Sequence, residues 1–284
     1  MKYDFLKEQK NFGGEFMDLK KRINVKGIVV LGLRDYELLK DLFFSKVCSL
    51  EHLSKRHFPG KHRTTASKRL NRLFMANYIT KVRVYPDCKP VSVFSITPKG
   101  LSTIASSLPG KLIRRECRSD NINHDLELSI IRDYFLQATC VKEIKTENEL
   151  QSFFRERYED IYEPFQRLNS DLFLLLTYEE EDYEVAVEYE SCPKNLKRLS
   201  RYLLNYHLEE DIQAVLYICA TNNILKNVMK VTKEYAKSFA PKIYCCTLKD
   251  FKNESQIAIF ENGDGKKFPV NFHKDKFTST STTR

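Results

Sequence analysis

The sequence predicts a mixed α+β / α/β chain: an N-terminal winged helix-turn-helix, a linking helix, and an α/β domain built on a mixed sheet. Three observations carry this. Residues 1–120 hold 25 Lys and Arg against 11 Asp and Glu (net +14), whereas residues 121–284 hold 22 against 27 (net −5). Residues 34–97 read as three helical patterns followed by two alternating strands. From Val141 onward strand patterns alternate with helical ones, as in an α/β sandwich. Five segments follow: a loosely ordered arm over 1–25, the winged helix over 26–118, the linking helix over 119–140, the α/β domain over 141–262 and a flexible tail over 263–284.

The first helix begins at Arg34, where Tyr36, Leu38, Leu39, Leu42, Phe43 and Val47 recur at three- and four-residue spacing. Ser49 is the expected N-cap of a short second helix, Leu50 to His57, broken by Pro59-Gly60. Thr64 or Thr65 is expected to cap a third helix whose inward stripe is Ala66, Leu70, Leu73 and Phe74. A strand over Ile79–Tyr85 sets Val82 and Val84 against Lys81, Arg83 and Tyr85. It returns along Val91–Thr97, and Thr97-Pro98 opens another helix with Thr as N-cap and Pro at the first position.

No Asp or Glu occurs between His52 and Pro86. Cations gathered on one motif are what a phosphate footprint requires, so this motif points to double-stranded DNA as partner. Lys61, Arg63, Lys81 and Arg83 are the expected phosphate contacts, Arg69, Asn71 and Arg72 the candidates for base edges, and Thr65 and Lys68 belong to the same DNA-binding set on the groove side of the third helix.

Composition excludes other classes. With 42% hydrophobic and 30% charged residues the chain is neither a coiled coil, a collagen nor a wholly disordered protein. The longest apolar runs, Ile28–Leu33 and Leu172–Thr177, are strand-sized, and MKYDFLKEQK lacks the apolar stretch of a secretory signal, so a cytoplasmic protein with no membrane contact is expected. Eight Cys are scattered without a CxxC pair. Cys48 and His52 stand four apart, a permissible ligand pair, but no second pair follows and the spacing alone predicts no zinc motif.

In the linking region Asn121–Gln137 is an amphipathic helix, with His124 in its first turn as a packing residue or a contact between the halves; the helix is also a candidate homodimer face. The second half is expected to run through a helix at Glu147–Arg157, strands at Asp171–Tyr178 and Tyr183–Glu190, a helix at Asn195–His207, a strand at Ala214–Thr221, a helix at Asn222–Phe239 and a strand at Lys242–Leu248. Along YEVAVEYE the period of two puts Glu184, Ala186, Glu188 and Glu190 on one face. If the two strands pair as a hairpin, Asp171 lies at the same end as Glu188 and Glu190, and carboxylates so gathered need a proton or a cation such as Mg²⁺. Lys194 and Lys197 follow on one helix face.

The order of these pieces, with NHDL, SDLFLL, AVEYE, KNLKRLSRY and VLYI in sequence, resembles the replication-relaxation family of plasmids and other mobile elements over about residues 34–248. The resemblance implies a winged helix joined to a restriction-endonuclease-like domain of the PD-(D/E)xK type, with replication or mobilisation proteins as partners. It also implies a Mg²⁺ site with Asp171 and Glu188 as metal ligands. The chain departs from the pattern twice: Ser170 stands where the motif has Pro, and Glu190 stands where it has the lysine. Lys194 or Lys197 would then have to supply the positive charge from the following helix. The expected function is DNA binding in relaxation, replication or mobilisation with a degenerate nuclease-like domain; the alternatives are a Mg²⁺-dependent endonuclease and a winged helix transcription regulator.

Overall fold

A computed structural model describes residues 29–85, 89–114, 116–153, 160–240, 242–253 and 257–272. The expected arm over 1–25 therefore lies outside the described residues. From Leu31 onward the chain packs as one compact unit of mixed α+β structure.

The first part runs α1 (Leu33–Ser45), β1 (Cys48–Ser49), α2 (Leu50–His57), α3 (Arg63–Met75), β2 (Ile79–Val84), β3 (Val91–Ile96) and α4 (Pro98–Ile104). The apolar stripe of α1 is spent inward, with Leu38, Leu39, Leu42 and Phe43 fully buried. Ser49 caps α2 and Thr97 caps α4, as expected. The cap of α3 differs: the His62 ring, not Thr64 or Thr65, accepts the hydrogen bond from the Thr64 amide. On α3, Ala66, Leu70 and Leu73 are buried but Phe74 is 42% exposed, because the stripe turns away one residue earlier than its spacing suggests. The two-residue β1 is an addition. It pairs with β3, which pairs with β2, so the hairpin is the outer part of a three-stranded antiparallel sheet in the order β1-β3-β2.

After α5 (Ile122–Phe135) come β4 (Val141–Thr146), α6 (Glu147–Ser152), α7 (Glu163–Leu168), β5 (Leu172–Tyr178), β6 (Glu181–Glu190), α8 (Leu196–Leu208), β7 (Ala214–Cys219), α9 (Asn222–Tyr235), β8 (Ile243–Thr247), α10 (Leu248–Phe251), β9 (Ile257–Asn262) and β10 (Lys267–Asn271). Seven of these strands form one mixed sheet in the order β10-β9-β8-β7-β6-β5-β4, with β6, β7 and β8 parallel and the outer pairs antiparallel. The sheet curls far enough for its two ends to meet, through a bridge between Ala138 and Phe272 and a hydrogen bond from the Thr139 amide to the Asn271 carbonyl (3.3 Å). The expected flexible tail is thereby corrected: Lys267–Asn271 is an edge strand, and Phe268 and Val270 pack against the core. Residues 273–284 lie outside the described residues.

Alternation along the strands makes two cores. Leu172, Leu174, Val185, Val187, Leu216 and Phe260 face the concave side, where Ile131 and Phe135 of α5 plug the curl. On α5, Ile131 and Phe135 are thus used inside the fold, with Leu128 and Tyr134 partly buried beside them, while Leu126 and Ile130 are half-buried. Phe173, Ala186, Val215 and Tyr217 face the other side, under Leu199 and Leu203 of α8 and Val228 of α9. The β5–β6 hairpin turns on Glu179 and Glu180, both left-handed (φ 50° and 71°), which suits a two-residue turn between right-twisted strands although neither residue is Gly or Asn.

Under α8 and α9, His207 is stacked on Phe239 and set edge-on to Tyr235, and neither ring nitrogen has a hydrogen-bond partner among the described residues. Burial, and then the Lys242 ammonium, push the imidazole down to about 4. The unfolded chain takes up this proton near pH 6.5 and the folded chain only near pH 4, so protonation favours unfolding as pH falls between the two. This one group should remove about 3 kcal/mol across that window. Urea unfolding should show His207→Phe losing less stability than the wild type from pH 6.5 to pH 4, with no difference in slope above pH 7.

Candidate nucleic-acid interface and carboxylate cluster

The structure separates the basic residues of the first part into two kinds. Lys61, Arg63, Thr65, Lys68, Asn71 and Arg72 are exposed on or just before α3, and Lys81 and Arg83 are exposed on β2. Among the described residues, none of the six cations in that set forms an ion pair with a carboxylate. Lys81 Nζ donates to Asn71 Oδ1 (3.4 Å), which ties the hairpin to the outward face of α3 and makes one continuous surface. Thr65, Lys68 and Arg72 follow one another at i, i+3 and i+7 along that face.

Arg69 is the exception and a correction. Its guanidinium grips Asp35 on α1 with two hydrogen bonds, Nε to Oδ1 (2.8 Å) and Nη2 to Oδ2 (2.5 Å), and the Asp35 side chain is 4% exposed. Asp35 also accepts from the Gly32 amide at the start of α1 (2.8 Å). Arg69 therefore braces α3 against α1 and is not presented to a base edge.

The acidic face of β6 is assembled by the hairpin register. Leu172 pairs with Val187, which carries Asp171 to the end of the sheet beside Tyr189, and Asp171 Oδ2 accepts from the Tyr189 amide (2.8 Å). Glu188 and Glu190 point to the side covered by α8, with 6% exposure each. The Glu188 carboxylate accepts from Tyr202 (2.6 Å) on one oxygen and from Tyr206 on the other. Tyr206 in turn is hydrogen-bonded to Ser170 (2.8 Å), the residue at the departed Pro position. Glu190 accepts from Lys194 and from the Tyr217 hydroxyl (3.0 Å). Lys194 thus projects back from the start of α8 into the cluster, whereas Lys197 is exposed and joins no ion pair among the described residues.

On the other flank, His124 donates from Nε2 to the Tyr189 carbonyl (3.0 Å), lies 3.7 Å from Asp171 Oδ2, and sets Nδ1 3.4 Å from Asp125. Burial alone would lower its pKa, but the Asp125 hydrogen bond and the Asp171 charge outweigh it and raise the ring to about 9. His124 is therefore a cation seated at the Asp171 end of the cluster. Burial raises the carboxyls of both Asp171 and Glu188 above their ordinary range, and repulsion from Asp171 pushes Glu188 further up.

Chemically this is a closed set. Both Glu188 oxygens are capped by phenols, and Glu190 is neutralised by Lys194. The spacing of Tyr202 and Tyr206, four apart on one helix face, was the available signal for the caps. For His124 the first-turn position offered a contact between the halves without naming Tyr189 or Asp171, and the partnership of Tyr217 with Glu190, between strands far apart in sequence, had no signal.

Among the described residues no helix is long and apolar enough to cross a membrane. The class defined by these elements is a mixed α+β protein with a curled seven-stranded sheet and a small antiparallel sheet. No family model matches the chain, and no curated protein or solved structure matches it either.

Proposed function

We propose that this chain binds duplex DNA through α3 and the β2–β3 hairpin, used as the recognition helix and wing of a winged helix. The observation that carries the reading is the set of six exposed cations, Lys61, Arg63, Lys68, Arg72, Lys81 and Arg83, on one surface, none of them within ion-pair distance of a carboxylate among the described residues, with Glu51 acting on Arg63 only at longer range. Cations left uncompensated at a shared surface repel one another, and a polyanion relieves that cost by releasing its own counterions. Asn71, held beside Lys81, is the side chain we assign to a base edge, and Arg72, in line with Thr65 and Lys68 on the outward face, is assigned to a phosphate instead. The resemblance to the replication-relaxation family supplies the setting: a plasmid or mobile element, and a part in DNA relaxation, replication or mobilisation.

Lysine footprinting tests the surface. Acetylation of Lys61, Lys68 and Lys81 should slow several-fold when duplex is added to the full chain. Lys226, Lys230 and Lys233, exposed on α9, should react unchanged. Protection of α9 with no protection of α3 would move the interface to the other face of the molecule.

A second reading has one observation in its favour: Asp171, Glu188, Glu190 and Lys194 do gather at one end of β6. A Mg²⁺-dependent endonuclease would use these four. The phenol caps, the Glu190–Lys194 pair and the His124 cation weigh against it, and we assign the cluster to latching α5 and α8 onto the sheet end. Supercoiled plasmid should remain intact with the wild type in Mg²⁺ or Mn²⁺. Nicking that Asp171→Asn abolishes would establish the endonuclease instead.

A further inference from the structure

We infer that Asp41, Cys48 and His52 form a binding site for a zinc-like divalent cation at the junction of α1, β1 and α2. Among the described residues this is the one group of three His, Cys, Asp or Glu side chains whose ligand atoms all lie within 4.8 Å of one another. All three are buried: Cys48 at 0%, Asp41 at 3% and His52 at 9% exposure. A thiolate, an imidazole and one carboxylate oxygen are the donor types that zinc accepts, and Mg²⁺ or Ca²⁺ would not choose the sulfur.

The orientation of each donor supports the assignment. Arg56 and Arg132 both donate to Asp41 Oδ1, at 2.9 and 3.0 Å, which leaves Oδ2 turned toward the other donors. Oδ2 accepts from His57 Nε2 (3.1 Å), a hydrogen bond that fixes the carboxylate plane. His52 Nδ1 is 3.2 Å from Asp133 Oδ2. A carboxylate can only accept, so Nδ1 carries a proton and Nε2 is the nitrogen left to bind metal. Nε2 has no hydrogen-bond partner, and at 3.6 Å from Asp41 Oδ2 it is too far to make one. Without metal the doubly protonated ring meets Asp41 Oδ2 only as a long ion pair with no hydrogen bond, and an ion between Nε2 and Oδ2 would replace that contact with two short bonds. Two donor atoms 3.6 Å apart are at the spacing that two ligands about 2.1 Å from a tetrahedral zinc would have. Asp133, His52 and the metal would then form a carboxylate–histidine–metal triad.

The charge balance closes. One divalent cation enters, and the Cys48 thiol proton and the second imidazolium proton leave, so the net charge of the cluster is unchanged while the two arginines keep their partners. The fourth coordination position goes to water. Cys48 pairs with Phe94 of β3, so the ion would fasten α1 and α2 to the small sheet that carries the wing.

Cobalt is the probe. Chelator-treated full chain titrated with Co²⁺ should develop a thiolate-to-cobalt charge-transfer band that saturates at one equivalent and disappears when zinc is added. Cys48→Ser should lose the band, Cys192→Ser, at an exposed cysteine, should keep it, and Asp133→Asn should weaken the apparent affinity 10- to 100-fold. A wild type without the band, or a band that survives Cys48→Ser, overturns the site. X-ray absorption of the zinc-loaded wild type decides the matter if Cys48→Ser does not fold. One sulfur at about 2.3 Å with nitrogen and oxygen at about 2.0–2.1 Å is expected, and a shell without sulfur, or with more than one, contradicts it.

Discussion

Replacing Lys68 and Arg72 together by Ala is expected to weaken duplex binding by about 100-fold or more at physiological salt, with no loss of stability. Each side chain stands on the outward face of α3, is exposed, and has no ion-pair partner among the described residues. A hydrogen bond to a charged phosphate is worth about 1.5–3 kcal/mol, so two lost contacts amount to at least about 3 kcal/mol, which is the stated factor. The folded chain loses little, because exposed side chains outside any network change stability by about 0.5 kcal/mol or less. Fluorescence anisotropy of a labelled duplex and a urea midpoint together make the measurement. Unchanged affinity in a folded double variant would remove α3 from the interface.

Arg69→Ala, one position from Lys68, should have the opposite profile. It leaves the Asp35 carboxylate buried without its guanidinium, a change that typically costs about 3–5 kcal/mol. Adding Asp35→Ala should recover most of that loss, because the stranded charge is then gone. The remainder should be about 1 kcal/mol, the worth of the hydrogen bond from the Gly32 amide that starts α1. Urea midpoints of the two single variants and the double variant complete the cycle. If Arg69→Ala keeps its stability and instead loses duplex affinity, the arginine faces DNA and the brace is not its role.

The contrast between neighbouring residues 68 and 69 shows where the sequence was legible. Which residues of α3 face inward follows from spacing, and Ala66, Leu70 and Leu73 are buried as that spacing requires. An arginine at the edge of the stripe can turn either way. What turns Arg69 inward is Asp35, 34 residues earlier and visible only once α1 is packed. The β5–β6 hairpin was readable because a strand-length apolar run, Leu172–Thr177, is followed after an acidic turn by the alternating Tyr183–Glu190, and its register put Asp171 beside Tyr189. In β10, Phe268 and Val270 alternate in the same way, but the strand is short and set among Gly, Lys and Asp, so its composition read as tail. The carboxylate cluster was half legible. Asp171, Glu188, Glu190 and Lys194 share one end as the strand period and helix offset imply, while the groups that decide their chemistry, His124, Tyr202, Tyr206 and Tyr217, come from α5, α8 and β7. Likewise Cys48 and His52 were a visible pair, and Asp41 joins them only through the turn between α1 and α2.

The measurement that bears most directly on the basic surface is the dependence of duplex affinity on salt. Plotted as logarithms, the wild type should fall with a slope of about −5, the value for six neutralised phosphates, losing about a thousandfold between roughly 50 and 200 mM salt. Lys68→Ala/Arg72→Ala should be shallower by about two units. A wild-type slope near zero, or a double variant with the wild-type slope, would contradict a phosphate footprint on α3 and the hairpin.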